Sequence, residues 1–179
     1  SYLPANGAVT FLEDENDKQK FDFHLRNELD KIIGKAIEEN RFQMYYQPIY
    51  NIQKKKFTSA EALIRLIDDD YGFVSPGLFI PAAEISGAIH QIGDFVFEDV
   101  CRFISHCDFE KLGMEYIEIN LSVAQTVEFN LAEKIQAIMK QYNVSPEKIN
   151  LEITETAADF NPEVFDRNIG QLSEAGLKF

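Results

Sequence analysis

Glu61, Arg65, Asn120 and Glu152 are polar side chains set inside short, largely apolar stretches. Successive side chains of a strand point to opposite faces. Over residues 57–66, Ser59, Glu61, Leu63 and Arg65 therefore share one face, and Ala60, Ala62, Ile64 and Leu66 share the other. Over residues 116–122, Ile117, Ile119 and Leu121 oppose Glu118, Asn120 and Ser122. Over residues 148–155, Ile149, Leu151 and Ile153 oppose Asn150, Glu152 and Thr154. Each strand has an aliphatic face and a polar face. Burying the polar groups unpaired would cost on the order of several kcal/mol each. They are tolerable where they converge on a metal ion or a solvated mouth. Two carboxylates and an amide make an oxygen-only donor set, which suits hard cations such as Mg²⁺ or Mn²⁺. All lie toward the C-terminal ends of their strands, where α/β folds place active sites. The same spacing also fits an open antiparallel sheet whose polar face meets water, and alternation by itself leaves both open.

The elements around these strands follow from periodicity. Leu25, Leu29, Ile32, Ile33, Ala36 and Ile37 recur at helical steps, and Asn40 is placed to close that helix. Residues 41–47 read as a strand ended by Pro48, and residues 51–56 as a polar, basic turn. A second strand over residues 57–66 runs into the turn Asp68-Asp69-Asp70-Tyr71-Gly72. Residues 78–86 suggest a short helix interrupted by Pro81, and Ile92, Phe95, Val96, Val100 and Phe103 mark a longer one. The strand over residues 116–122 is followed by a helix capped by Asn130 in a capping box with Glu133. The strand over residues 148–155 is followed by a helix opened by Asn161-Pro162-Glu163 and ended by Gly176. Residues 177–179 look like the first part of another strand. Alternating strands and helices argue for an α/β chain with parallel pairing.

Composition narrows the function classes. The 179 residues include 17 Lys+Arg against 30 Asp+Glu, a net charge of −13, which disfavours broad binding to nucleic acid. Apolar residues make up 45%, enough for a core, so a wholly disordered chain is excluded. No apolar run reaches the ~20 residues of a membrane span. Cys101 and Cys107 cannot build a disulfide scaffold, and reduced thiols in a cytoplasmic setting are the simpler expectation. His24, His90 and His106 show no metal-ligand spacing, and Lys54-Lys55-Lys56 reads as a short solvated turn.

Five motifs occur in order: Tyr45-Tyr46-Gln47-Pro48-Ile49, Glu61-Ala62-Leu63-Ile64-Arg65, Phe79-Ile80-Pro81, Asn120-Leu121-Ser122 and Glu152-Ile153-Thr154-Glu155. Together they resemble the EAL domain family, bacterial signal-transduction phosphodiesterases that hydrolyse cyclic di-GMP to the linear dinucleotide. The resemblance runs from about Leu25 to the last residue. It divides the chain into residues 1–24, a linker or the end of a preceding domain, and residues 25–179, the N-terminal part of an EAL domain. It implies an α/β, TIM-like (β/α) barrel, present here as its first four strands and the start of a fifth.

The resemblance also implies a two-metal site using Mg²⁺ or Mn²⁺. By motif, Glu61, Asn120 and Glu152 would be metal ligands, with Glu61 also counted as catalytic. Arg65 would hold a phosphate, Leu63 would line the base pocket, and Gln47 would sit at the substrate floor. Glu155 would steady a neighbouring loop. Ile85 and Ala124 depart from the family pattern, which more often has Glu and Arg at those places. A closed barrel of this kind typically needs ~250 residues. The family's paired aspartates and its later Lys, Glu and Gln would follow Phe179. The expectation is a phosphodiesterase of which this stretch is inactive alone. The alternative is a non-catalytic module that binds cyclic di-GMP or a regulatory partner. A covalently attached signalling domain, and homodimerisation or other association through a sheet edge, are the expected partners besides the nucleotide.

Overall fold

The computed structural model describes residues 2–5, 8–11, 15–154 and 161–179. The elements in chain order are β1 (Tyr2–Ala5), β2 (Ala8–Phe11), α1 (Glu15–Glu38), β3 (Phe42–Asn51), β4 (Lys56–Asp68), β5 (Gly72–Val74), α2 (Pro76–Ser86) and α3 (Ile89–His106). They continue with α4 (Phe109–Leu112), β6 (Tyr116–Ser122), α5 (Val123–Thr126), α6 (Leu131–Gln141), β7 (Ile149–Thr154) and α7 (Pro162–Glu174). A 3-10 turn, Pro146–Lys148, leads into β7.

β3, β4, β6 and β7 lie side by side in that order, and β5 pairs with β4 off this path. β4 and β6 run parallel with Glu61 opposite Glu118, and β6 and β7 run parallel with Asn120 opposite Glu152. The parallel ladders remove the open antiparallel alternative. The turn at residues 52–55 joins β3 to β4 tightly, which only an antiparallel pair allows. Near the end of the chain, Asn150 forms a parallel bridge with Lys178, and Leu151 N donates to Lys178 O at 2.8 Å. That bridge stands where the start of a fifth strand was expected.

The chain divides into two compact units, residues 1–43 with 64–89, and residues 44–63 with 90–179. In the first, α1 buries Leu25, Leu29, Ile32, Ile33 and Ala36 on one stripe, and α2 buries Phe79 and Ala83. α1 ends in a Schellman motif. Asn40 takes a left-handed φ of 53°, Arg41 N donates to Ala36 O at 2.9 Å, and Asn40 N donates to Ile37 O. In the second unit, Ile117, Ile119, Leu121, Ile149 and Leu151 are at most 1% exposed. They are buried along with Val100 and Cys101 of α3, Ile135 and Met139 of α6, and Leu172 of α7. Each fully buried aliphatic side chain contributes about 1.5–3 kcal/mol. Tyr46 of β3 stacks on Phe103 of α3 with ring centroids 4.0 Å apart, and its hydroxyl donates to Asp99 Oδ1.

Some elements differ from the periodicity. α1 begins at Glu15, ten residues before the apolar stripe starts, and β1 and β2 form a hairpin where no pattern was visible. β3 continues through Pro48 to Asn51, so Pro48 does not end it; proline is tolerated in strands at a sheet edge, and β3 is an edge strand. β5 is a three-residue strand too short to carry a pattern. α6 starts at Leu131 as expected, but the Asn130 side chain makes no capping hydrogen bond. Leu131 N instead donates to Glu128 O at 3.3 Å, so the preceding turn supplies the acceptor.

Candidate active site

The second unit places three of the expected site residues on adjacent parallel strands. Glu61 lies at the end of the β4–β6 ladder, one rung before its last pair, Ala62 with Ile119. Asn120 is two residues beyond Glu118 on β6 and directly opposite Glu152 on β7. Asn120 Nδ2 donates to Glu61 Oε1 at 2.7 Å, joining β4 to β6 across the polar face. The resulting row is Glu61, Asn120 and Glu152, near the C-terminal ends of β6 and β7 and midway along β4, where its parallel ladder with β6 ends. Glu61 is half-buried, while Asn120 and Glu152 are exposed. Leu63 is the next residue on that face of β4 and is half-buried. Gln47 is exposed on β3, the strand next to β4. Arg65 lies in the other unit; its Nη1 donates to Ile64 O at 3.0 Å. Glu155 lies outside the described residues.

Glu118 is a member of this face that motif reasoning left without a role. It is opposite Glu61 on one side and Asn150 on the other. Burial holds its carboxyl above the usual range, the charges of Glu152 and Glu61 push it further up, and the Asn150 amide pulls it partly back. Its only sequence signal was its alternation with Ile117 and Ile119. Among the described residues, no Lys or Arg forms an ion pair with Glu61, Glu118 or Glu152. Nor do three His, Cys, Asp or Glu side chains among them stand in an arrangement that could hold a metal. The donor set that fits is mixed: two carboxylates and the carbonyl oxygen of the Asn120 amide, whose nitrogen donates to Glu61. Oxygen donors with uncompensated negative charge suit a hard divalent cation.

The segment after β6 holds the end of that strand in place. Ser122 Oγ accepts from Ala124 N at 3.2 Å, and Gln125 Oε1 accepts from Ser122 N at 2.9 Å, closing a capping box. The Ser-x-x-Gln spacing carried that signal. Gln125 is buried against Gly93 of α3, where a Cβ would collide with Gln125 Nε2. Asn168 of α7 donates to Thr126 O at 2.8 Å and Glu128 O at 2.7 Å. Glu128 in turn takes Lys134 at 2.7 Å and His90 at 3.1 Å, and Lys134 also meets Asp94 at 2.7 Å. The backbone that follows Asn120 is thus tied to α3, α6 and α7.

The EAL domain family matches residues 30–179. The signaling protein YkoW of Bacillus subtilis is 31% identical over 147 residues, covering 82% of this chain and 18% of that protein. The bifunctional diguanylate cyclase/cyclic di-GMP phosphodiesterase MucR of Pseudomonas aeruginosa is 28% identical over 151 residues, covering 81% of this chain and 21% of that protein. The chain thus spans about a fifth of the length of these relatives. Among solved structures, the MucR phosphodiesterase in complex with c-di-GMP superposes with a TM-score of 0.75 at 28% identity, over 84% of this chain and 61% of that one. The FimX EAL domain of Xanthomonas citri, in complex with c-di-GMP, gives 0.67 at 16% identity over 92% and 61%, a likeness of fold. Motif order, parallel register and the match over residues 30–179 agree: the chain belongs to the EAL domain family, and its five-stranded sheet is part of that family's TIM-like α/β barrel.

Proposed function

We propose that this chain supplies the Glu61–Asn120–Glu152 side of a cyclic di-GMP phosphodiesterase centre, which hydrolyses the cyclic dinucleotide to its linear form. The observation that carries the reading is the row of Glu61, Asn120 and Glu152 across three neighbouring parallel strands, joined by the Asn120–Glu61 hydrogen bond, its two carboxylates lacking a basic partner among the described residues. Glu61, Asn120 and Glu152 would hold Mg²⁺ or Mn²⁺. When bound, such a cation offsets negative charge on the phosphodiester and acidifies water. Glu61 and Glu152 provide the negative field that keeps the cation, and Asn120 fixes the direction of the Glu61 carboxylate. Arg65 carries a planar fork of donors suited to a phosphate. Leu63 offers an apolar contact for a base, Gln47 an amide at the substrate floor, and Glu155 a carboxylate that steadies the adjoining loop.

Residues 25–179 form the domain in this proposal, with residues 1–24 joining it to a neighbouring signalling domain. Self-association and a cytoplasmic location belong to the same proposal. Among the described residues, no helix is long and apolar enough to cross a membrane.

Ligand capture by this stretch and turnover by a whole domain are separate claims, since the chain covers 61% of the MucR phosphodiesterase structure. Calorimetry with cyclic di-GMP and Mg²⁺ tests the first, and chromatography of the reaction mixture tests the second. The expected result is saturable binding that Glu61→Ala abolishes. Binding by this stretch with no linear product from a whole domain that contains it would favour the non-catalytic reading, and no saturation would reject both.

A further inference from the structure

We propose that Glu118 is a positioning residue for the divalent cation held by Glu61, Asn120 and Glu152, its carboxylate standing beside Glu61 and one rung below Asn120 and Glu152. The inference rests on the cation site proposed above and adds a residue to it. The registers place Glu118 directly opposite Glu61 across the β4–β6 ladder and diagonal to Glu152 across the β6–β7 ladder. Neighbouring strands are about 4.8 Å apart, so these carboxylates are nearest neighbours on one face. Asn120 follows Glu118 on the same face of β6 and reaches sideways to Glu61. Two acids directly opposite on adjacent strands repel. Here no described basic side chain relieves them, and Glu118 is half-buried, so it cannot turn freely into bulk water. On its other side stands Asn150, a neutral amide. A cation above the row compensates this charge, and Glu118 raises the site's affinity without itself being a ligand.

The test is Mn²⁺ binding followed by electron paramagnetic resonance, with melting temperature as a second readout, on the wild type, Glu118→Gln, Glu118→Asp and Glu61→Gln. Glu118→Gln should weaken Mn²⁺ binding about tenfold, while Glu118→Asp, which keeps the charge, should stay within about threefold of wild type. Without metal, Glu118→Gln should melt about 1–3 °C higher, because a like-charge contact is removed. A purely structural partner of Asn150 would instead melt lower when changed. The proposal is overturned if Glu118→Gln binds Mn²⁺ like the wild type while Glu61→Gln loses it, or if Glu118→Gln melts lower without metal. A wild type that binds no Mn²⁺ overturns the cation site itself, and the role of Glu118 with it.

Discussion

At the scale of single residues, the structure separates side chains that look alike in the sequence. Cys101 and Cys107 differ in environment: burial pushes the Cys101 thiol up to about 12, while Cys107 is half-buried at the end of α3. Thiolate is the reactive form. A disulfide reagent at pH 8 should label Cys107 in the folded chain and reach Cys101 only on unfolding; equal labelling rates would contradict the buried position. Gly93 is constrained by its neighbour, because a methyl group there would displace the Gln125 amide and break its bond to Ser122 N. Gly93→Ala should cost about 1–3 kcal/mol in denaturant unfolding, the range for overpacking. It should also weaken cyclic di-GMP binding, through the strand end that carries Asn120. The placement of Glu61, Asn120 and Glu152 on the polar faces of their strands was legible because each alternates with aliphatic residues. Glu118 alternates equally, but only the strand register reveals that it faces Glu61.

At the scale of elements, two asparagines make a matched pair. Asn161 and Asn130 both precede a helix and both read as caps. Asn161 Oδ1 accepts from Glu163 N at 3.1 Å and from Val164 N at 3.4 Å, whereas the Asn130 side chain accepts nothing. Asn161→Ala should destabilise the chain by about 1 kcal/mol. Asn130→Ala should stay within about 0.5 kcal/mol of wild type, as expected for surface positions free of such a feature. Equal losses in parallel urea titrations would contradict the assignment. The helix starts were legible because caps are local chemistry. Which candidate is used depends on the turn before it, and the sequence does not display that turn. The Schellman ends at Asn40 and Gly176 were legible for the same local reason, since Asn and Gly tolerate the left-handed conformation. β5 was not legible, because three residues carry no period.

At the scale of the whole molecule, the order of motifs pointed to the fold more surely than any one element did. Parallel pairing of β4, β6 and β7 follows from strands separated by helices, since parallel neighbours need a long crossover. The β1–β2 hairpin escaped because its strands of four residues each show no alternation. The net charge of −13 gains a partial account: Glu61, Glu118 and Glu152 are gathered on one face, where we propose a cation, while most other acids are ordinary surface charge. The most direct test is a crystal structure grown with cyclic di-GMP and Mn²⁺, with an anomalous difference map at the manganese edge. The account predicts a peak within about 2.0–2.3 Å of oxygens from Glu61, Asn120 and Glu152. A nucleotide bound with no peak at that row, or with manganese held by other side chains, would contradict it.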